Sequence, residues 1–206
     1  MGGIDMKKYN LIFALAMLLT LLTFSTAMAA ERVPLKIARV PIQVESVMQP
    51  SGETLNQLEK EIDKAAHVPL NGTLKAVEYL DENECAALYA DILAGHYGKI
   101  LKKEAPLKLA ELTDADLVIV PHLTGYEEYI THGLFFSHRE KLHSFAAVKI
   151  EGYDKAADEL FKKNVSRSYD DEYTAGGKVE KLAIDAMQSA LAEAKIHDRV
   201  WKWKNR

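Results

Sequence analysis

The chain contains a single cysteine, Cys85, among its 206 residues. No intramolecular disulfide can form, even in an oxidising compartment, so packing has to stabilise the fold. Cys85 also lies on an apolar helical stripe that continues through Leu88 and Ile92. This position indicates a buried side chain rather than a reactive nucleophile.

Basic blocks, repeats and catalytic motifs are missing as well. The formal net charge is −4, and no cluster of lysine and arginine is present, which argues against nucleic acid as a partner. The absence of internal repeats and low-complexity segments excludes a solenoid or a disordered adaptor. There is no Gly-x-Ser-x-Gly, no His-Glu-x-x-His and no phosphate-binding loop. We therefore expect a protein that is not an enzyme and needs no cofactor.

The amino terminus has the pattern of a secretory signal peptide. Lys7 and Lys8 precede an apolar run over residues 11–24, and Ala27-Met28-Ala29 offers small residues for cleavage. The apolar run is too short for a spanning helix. We predict cleavage after Ala29, with no lipid anchor because no cysteine lies there. The mature chain is expected in the periplasm or outside the cell, without a transmembrane segment.

Residues 30–199 are predicted to form a single α+β domain, followed by a basic and aromatic tail at 200–206. Leu117 to Val120 is an uninterrupted aliphatic run, which is typical of a strand that is buried on both faces. Upstream, turn residues and apolar periodicity predict a strand at 36–44, a helix that begins at Ser51 or Thr54, a strand at 73–80 and a helix that begins at 81–84.

Downstream, two more strands are predicted at 145–153 and 160–169, because apolar and polar residues alternate there. Together with the central strand they would form a three-stranded antiparallel meander over 116–169. A helix follows at 179–194, where apolar residues recur with helical spacing. The tail could be a short strand or an interfacial anchor, but so few residues bury too little area to anchor a protein alone, and we expect a terminal segment that packs back on the domain. The predicted order is β-α-β-α-β-β-β-α, with helices packed on a mixed sheet.

The segment 131–143, between two predicted strands, is the main candidate site. Its apolar centre, Leu134, Phe135 and Phe136, could dock a partner protein, since contiguous exposed apolar residues often mark interfaces. Alternatively, His132, His138 and His143 could bind a divalent transition metal or haem, with a hairpin bringing His132 and His143 face to face. Their spacing fits no standard zinc pattern, and ordinary packing of a solvated hairpin is the third interpretation. His122 is interpreted as a satisfied histidine at a strand end.

Several stretches resemble a group of bacterial envelope domains. These are residues 36–42 (KIARVPI), 114–121 (DADLVIVP) and 124–126 (TGY), the meander, and Gly176-Gly177 before the closing helix. The pattern is similar to CsgG-like domains and the amino-terminal domain of TolB, which share an anticodon-binding-like fold. The resemblance covers most of 35–195 and implies a non-catalytic assembly or transport role. The chain has neither the lipobox cysteine of CsgG nor a β-propeller. We therefore expect an exported module that binds an envelope protein or a second copy in a homo-oligomer.

Overall fold

The computed structural model describes residues 33–132 and 140–204. Residues 34–206 group into one compact unit. The predicted signal peptide, 1–29, lies outside the described residues. So do four of the predicted site residues, namely Leu134, Phe135, Phe136 and His138.

In the described part of the chain, six strands form one mixed sheet. They are β1 (Leu35–Arg39), β2 (Gln43–Val44), β3 (Val77–Tyr79), β4 (Leu117–His132), β5 (Glu140–Asp154) and β6 (Glu159–Glu172). The order across the sheet is β3-β1-β4-β5-β6, with β2 also beside β4. β1 runs parallel to β3 and β4, whereas β4, β5 and β6 are antiparallel. The predicted α+β class and the antiparallel meander are confirmed.

The helices begin at side-chain caps where the sequence supplies them. They are α1 (Gly52–Ala66), α2 (Asn71–Leu74), α3 (Glu82–Leu93), α4 (Ala105–Thr113), α5 (Val179–Glu193) and α6 (Ile196–Lys204), with 3-10 turns at Lys102–Glu104 and Ala175–Gly177. Ser51 caps α1 by accepting from the backbone N–H of Thr54 at 3.1 Å. Asp81 caps α3 through the N–H of Glu84 at 2.9 Å. Of the two predicted caps for α1, Ser51 is therefore the one used.

The central strand β4 is buried on both faces, as its aliphatic run predicts. Leu117 and Ile119 point to the first face, where α1, α5 and α6 pack on the sheet. Val118 and Val120 point to the second face, which α3 and α4 cover. Cys85 lies in this second cluster and is 1% exposed. Its predicted burial is confirmed.

Two upstream strands are shorter than predicted. The predicted strand 36–44 is interrupted around Pro41, which has no N–H to donate to a sheet, and β2 resumes beside His122 and Leu123. The predicted strand 73–80 is reduced to Val77–Tyr79 because α2 occupies its start. The Asn71 side chain holds this turn, since its amide nitrogen donates to the Val77 carbonyl and its oxygen accepts from the Val77 N–H, both at 2.8 Å.

The carboxyl-terminal tail is helical rather than extended. The prediction of a short strand is wrong for the described residues, because α6 runs from Ile196 to Lys204, whereas the expected packing on the domain is met at Val200, which is 1% exposed. The interfacial anchor stays a prediction. Ile196 and Val200, four residues apart, are both buried, as expected of one helical face. Arg199 binds Asp154 at 2.7 Å and lies 4.4 Å from the Phe161 ring. The helix is thus attached to the meander and crosses the predicted domain boundary.

The meander strands extend beyond the predicted ones and form an arm. Residues 140–144, which were expected to belong to an insertion, are the start of β5 and pair with β4 as far as His132. A bulge lies between Leu123 and Gly125, so that Leu123 and Tyr126 both point to the first face. We call residues 127–132, 140–145 and 168–172 the β-arm. The sequence predicted a hairpin here but not its regular strands.

Candidate functional site

The second face of the sheet is only partly covered by described elements. Helices α3 and α4 pack over the half that contains Val118 and Val120. Further along β4, the same face carries exposed aromatic side chains on the β-arm. Tyr129 is 58% exposed and Phe145 is 39% exposed. We call Tyr129, His143 and Phe145 the aromatic face, and it is the candidate functional site.

Tyr129 and His143 are held rigidly on neighbouring strands. They are directly opposite in the register, and their rings stack with centroids 4.7 Å apart and an interplanar angle of 11°. His143 Nε2 lies 2.8 Å from Thr131 Oγ1, and its Nδ1 lies 3.2 Å from Asp170 Oδ1. Residues from all three meander strands therefore fix one imidazole. The stack is ordered before a partner binds, which reduces the entropy lost on binding.

Phe145 occupies space that a glycine leaves free. A Cβ atom at Gly125 would lie 2.5 Å from Phe145 Cε1 and 3.0 Å from the Ala147 Cβ. The phenyl ring therefore lies over the Gly125 backbone, and part of it stays exposed. Gly125 lies within β4 at the bulge, so the bulge and the small residue together shape the base of the aromatic face.

An ion cluster lies between the buried core and the aromatic face. His122 is 5% exposed. Its Nδ1 is 2.8 Å from Glu45 Oε1, and its Nε2 is 3.5 Å from Glu151 Oε2. Lys149 and Lys162 contact the other oxygen of Glu151 at 3.3 and 3.1 Å. The expectation of a satisfied histidine is met on the Nδ1 side, whereas Nε2 has no aligned hydrogen-bond partner. The expected strand end is wrong, because His122 lies within β4.

The pKa values of Glu151, in the cluster, and of Tyr89, beside it, are both shifted away from neutral pH. His122 is the largest cause that lowers the pKa of Glu151 to about 2; burial opposes it, and Lys162 and Lys149 lower it further. Burial, followed by the charges of Glu151 and Glu45, raises the pKa of Tyr89 to about 12. An ionised glutamate and a neutral tyrosine favour a structural role, because general acid–base catalysis requires a pKa near the working pH.

Sequence analysis missed the carboxylates beside His122. The alternation over 145–153 does place Lys149 and Glu151 on one face. The register of β5 against β4 was not in that signal, and it sets Lys149 opposite His122. Glu45 directly follows β2, which pairs with β4 beside His122. This pairing depends on the interruption of the first strand at Pro41.

The described histidines of the predicted metal site do not face each other. His132 is opposite Glu140, with 3.3 Å between His132 Nδ1 and Glu140 Oε1, whereas His143 is opposite Tyr129. Strand alternation therefore places the two imidazoles on different faces of the β-arm. Among the residues that the structure describes, no group of three or more His, Cys, Asp or Glu side chains could hold a metal ion. Metal or haem binding with His138 stays a prediction.

The sequence matches no known family profile and no curated protein. Solved structures with a similar chain path include the hypothetical protein CT253 from Chlamydia trachomatis, at 12% identity, a TM-score of 0.44 and coverage of 79% of this chain and 96% of that one. A putative neuraminyllactose-binding hemagglutinin homolog from Helicobacter pylori has 8% identity, a TM-score of 0.41 and coverage of 86% and 96%. Lipoprotein GNA1162 from Neisseria meningitidis has 13% identity, a TM-score of 0.34 and coverage of 78% and 99%.

These likenesses are too distant to establish a family. The resemblance to CsgG-like domains and the TolB amino-terminal domain is not confirmed and stays a prediction. Within residues 33–132 and 140–204, no helix has the length and apolar character needed to cross a membrane.

Proposed function

We propose that the chain is an exported, non-enzymatic binding module of the bacterial cell envelope that engages a protein partner through the β-arm. The observation that carries the proposal is the aromatic face, on which Tyr129 and Phe145 are exposed although they stand on regular, paired strands. The apolar tip residues Leu134, Phe135 and Phe136 continue the chain between these strands, and we propose that they extend the same contact. The signal peptide pattern supports export.

Rigid, exposed aromatic side chains are well suited to protein recognition. Binding energy at interfaces is concentrated in a few residues, and tyrosine is among the most enriched of them. Strands position such residues more accurately than loops do. The six residues 127–132 extend about 20 Å in a β conformation. Their first face is held against the start of α5, where Glu128 accepts from the Val179 N–H at 2.8 Å, so the arm can present its second face to a partner surface.

Alanine substitution of both aromatic residues, Tyr129→Ala with Phe145→Ala, is expected to weaken partner binding about 30-fold or more, because truncation of a central interface residue typically costs about 1–2 kcal/mol. The partner is captured first by a photoreactive amino acid at position 127, which is exposed and lies two residues from Tyr129 on the same face of β4. Affinity of the purified pair is then measured by calorimetry. The double variant is expected to melt within a few degrees of the native chain, since both rings are partly solvated.

Tyr97 provides the matched control, because it is 40% exposed and lies beyond the end of α3, outside the arm. Tyr97→Ala is expected to leave affinity unchanged. A second variant, Phe135→Asp with Phe136→Asp, tests the tip alone. If the aromatic-face variant binds as tightly as the native chain, or if Tyr97→Ala weakens binding more, the arm is not the contact surface.

A further inference from the structure

β6 presents a long free edge. It is the last strand of the sheet order and runs for 14 residues, Glu159–Glu172. No strand in the described part of the chain pairs with its outer side. At the opposite end of the sheet, β3 has only three residues. A long row of unpaired N–H and C=O groups is a template for strand addition, and proteins usually restrict which strands can add.

The charges along β6 are separated by sign. After Glu159 at the start of the strand, the basic residues Lys162, Lys163 and Arg167 come next, and the acidic residues Asp170, Asp171 and Glu172 end it. A second copy of β6 in antiparallel orientation would set the basic part of each strand near the acidic part of the other. A parallel copy would set like charges together, which is unfavourable across a strand pair. β4 has a free edge beyond Leu123 too, but it carries Glu127 and Glu128 without any lysine or arginine.

We propose that two copies of this chain pair antiparallel along β6, centred on Ser166, and form one continuous sheet. A two-fold axis perpendicular to the sheet relates the copies, so equal faces are continuous and residues directly opposite must point to the same face. With Ser166 opposite its own copy, Lys162 is opposite Asp170, and this pair occurs twice. Within one chain Lys162 contacts Glu151 and Asp170 contacts His143, but their side chains are still 57% and 67% exposed, so each keeps surface that the other copy can contact.

The absence of like-charge pairs favours this register over its neighbours. Centring the pair on Arg167 would place the two guanidinium groups opposite each other, although Lys162 would then be opposite Glu172 and Lys163 opposite Asp171. Centring it on Val165 would place Lys163 opposite Arg167. With Ser166 at the centre, no like charges are directly opposite. Electrostatic complementarity therefore provides the orientation, and the cysteine pair below tests the register.

The pairing has a consequence for the aromatic face. Because the second face of the sheet is continuous across the axis, the two aromatic faces lie on the same side of the dimer. Two linked sites raise the effective strength of binding to a partner that presents repeated copies of its own surface. The dimer contact uses the outer edge of β6 and neither Tyr129 nor Phe145, but Asp170 also contacts His143 of the aromatic face. The cysteine pair at position 166, which leaves Asp170 unchanged, therefore tests the dimer separately from the proposed function.

A cysteine pair tests the register directly. In the full exported chain, Ser166→Cys is expected to form an intermolecular disulfide under mild oxidation, since directly opposite Cα atoms lie about 4.5–5.5 Å apart. Ser168→Cys is the matched control on the same strand and face. Its two copies would be offset by four residues, about 13 Å, which is beyond disulfide reach. The native Cys85 is buried and does not compete. Equal crosslinking at both positions, or none at position 166, would overturn the proposal.

Charge exchange tests the complementarity. Lys162→Glu alone and Asp170→Lys alone are each expected to weaken self-association about tenfold by sedimentation velocity. An equimolar mixture of the two variants is expected to restore dimers, because the introduced carboxylate of one chain then faces the introduced ammonium group of the other. The second pair of the mixed dimer keeps the native Lys162 and Asp170. Thermal melting of each variant confirms that it is folded. A native chain that is monomeric at about 100 μM, or a mixture no more dimeric than its components, would exclude this interface.

Discussion

Replacing Gly152 by alanine is expected to lower the free energy of unfolding by about 3 kcal/mol or more. A Cβ atom at this position would lie 2.1 Å from the Val118 carbonyl oxygen and 2.3 Å from Phe161 Cζ. The oxygen belongs to the central strand, whose backbone is paired on both sides, and Phe161 is 6% exposed beneath Arg199. Neither group can move without disturbing the sheet, and inserting a methyl group into such a site is destabilising.

Gly125→Ala is the matched control for this prediction. There the added Cβ meets mainly the Phe145 ring, which is partly exposed and able to rotate away. We expect the free energy of unfolding to fall by about 1 kcal/mol, as calculated from the midpoint and slope of urea unfolding followed by circular dichroism. Equal losses of unfolding free energy for the two substitutions, or a loss below about 1 kcal/mol for Gly152→Ala, would contradict this prediction. Either result would mean that the packing of β4 and Phe161 around Gly152 is looser than the structure indicates.

The sequence predicted the elements whose pattern is local. The aliphatic run at Leu117–Val120 indicated a doubly covered strand, and the structure has helices on both faces of β4. Helical spacing from Val179 onward indicated α5, and its small residues pack against the sheet. These patterns depend only on side-chain period and on the burial that follows from it.

Other features depended on contacts that no local pattern contains. The predicted strand at 73–80 begins only at Val77, because the Asn71 side chain binds the Val77 backbone and the residues before it form a helical turn. The alternation of Val200 to Trp203 is compatible with a strand, but Ile196 and Val200 are buried on one side of α6. Tertiary burial decided both cases against the local preference.

The candidate site shows the same limit. The histidines and apolar tip of 131–143 indicated the arm, whereas the aromatic face depends on pairing. Tyr129 and His143 stack because the β4–β5 register sets them opposite each other, and a shift of one residue would send one ring to the other face. A bulge in β4 sets the phase of that alternation, and the sequence does not indicate the bulge beyond the presence of Gly125.

Glu151→Gln is expected to remove about 3 kcal/mol of stability at pH 7. The pKa of Glu151 is lowered from its ordinary value of 4.5 to about 2, and each tenfold change in an acid constant corresponds to about 1.4 kcal/mol. The folded state therefore favours the ionised carboxylate. Its contribution is fully present above about pH 4.5, where the unfolded chain is ionised too, and is lost as the pH falls towards 2. The neutral amide cannot replace it between His122 and the two lysines.

Urea unfolding of the native chain and the variant at several pH values from 7 to 2 tests this dependence. The difference in unfolding free energy between them should shrink from about 3 kcal/mol to below about 1 kcal/mol near pH 2, where the folded native chain also carries a partly protonated Glu151. Glu127→Gln, an exposed site on the same strand as His122, should stay within about 0.5 kcal/mol of the native chain throughout. A Glu151→Gln difference that is independent of pH would mean that shape rather than charge holds the ion cluster together. Packing alone, without ion pairs, would then stabilise the part of the sheet that lies next to the aromatic face.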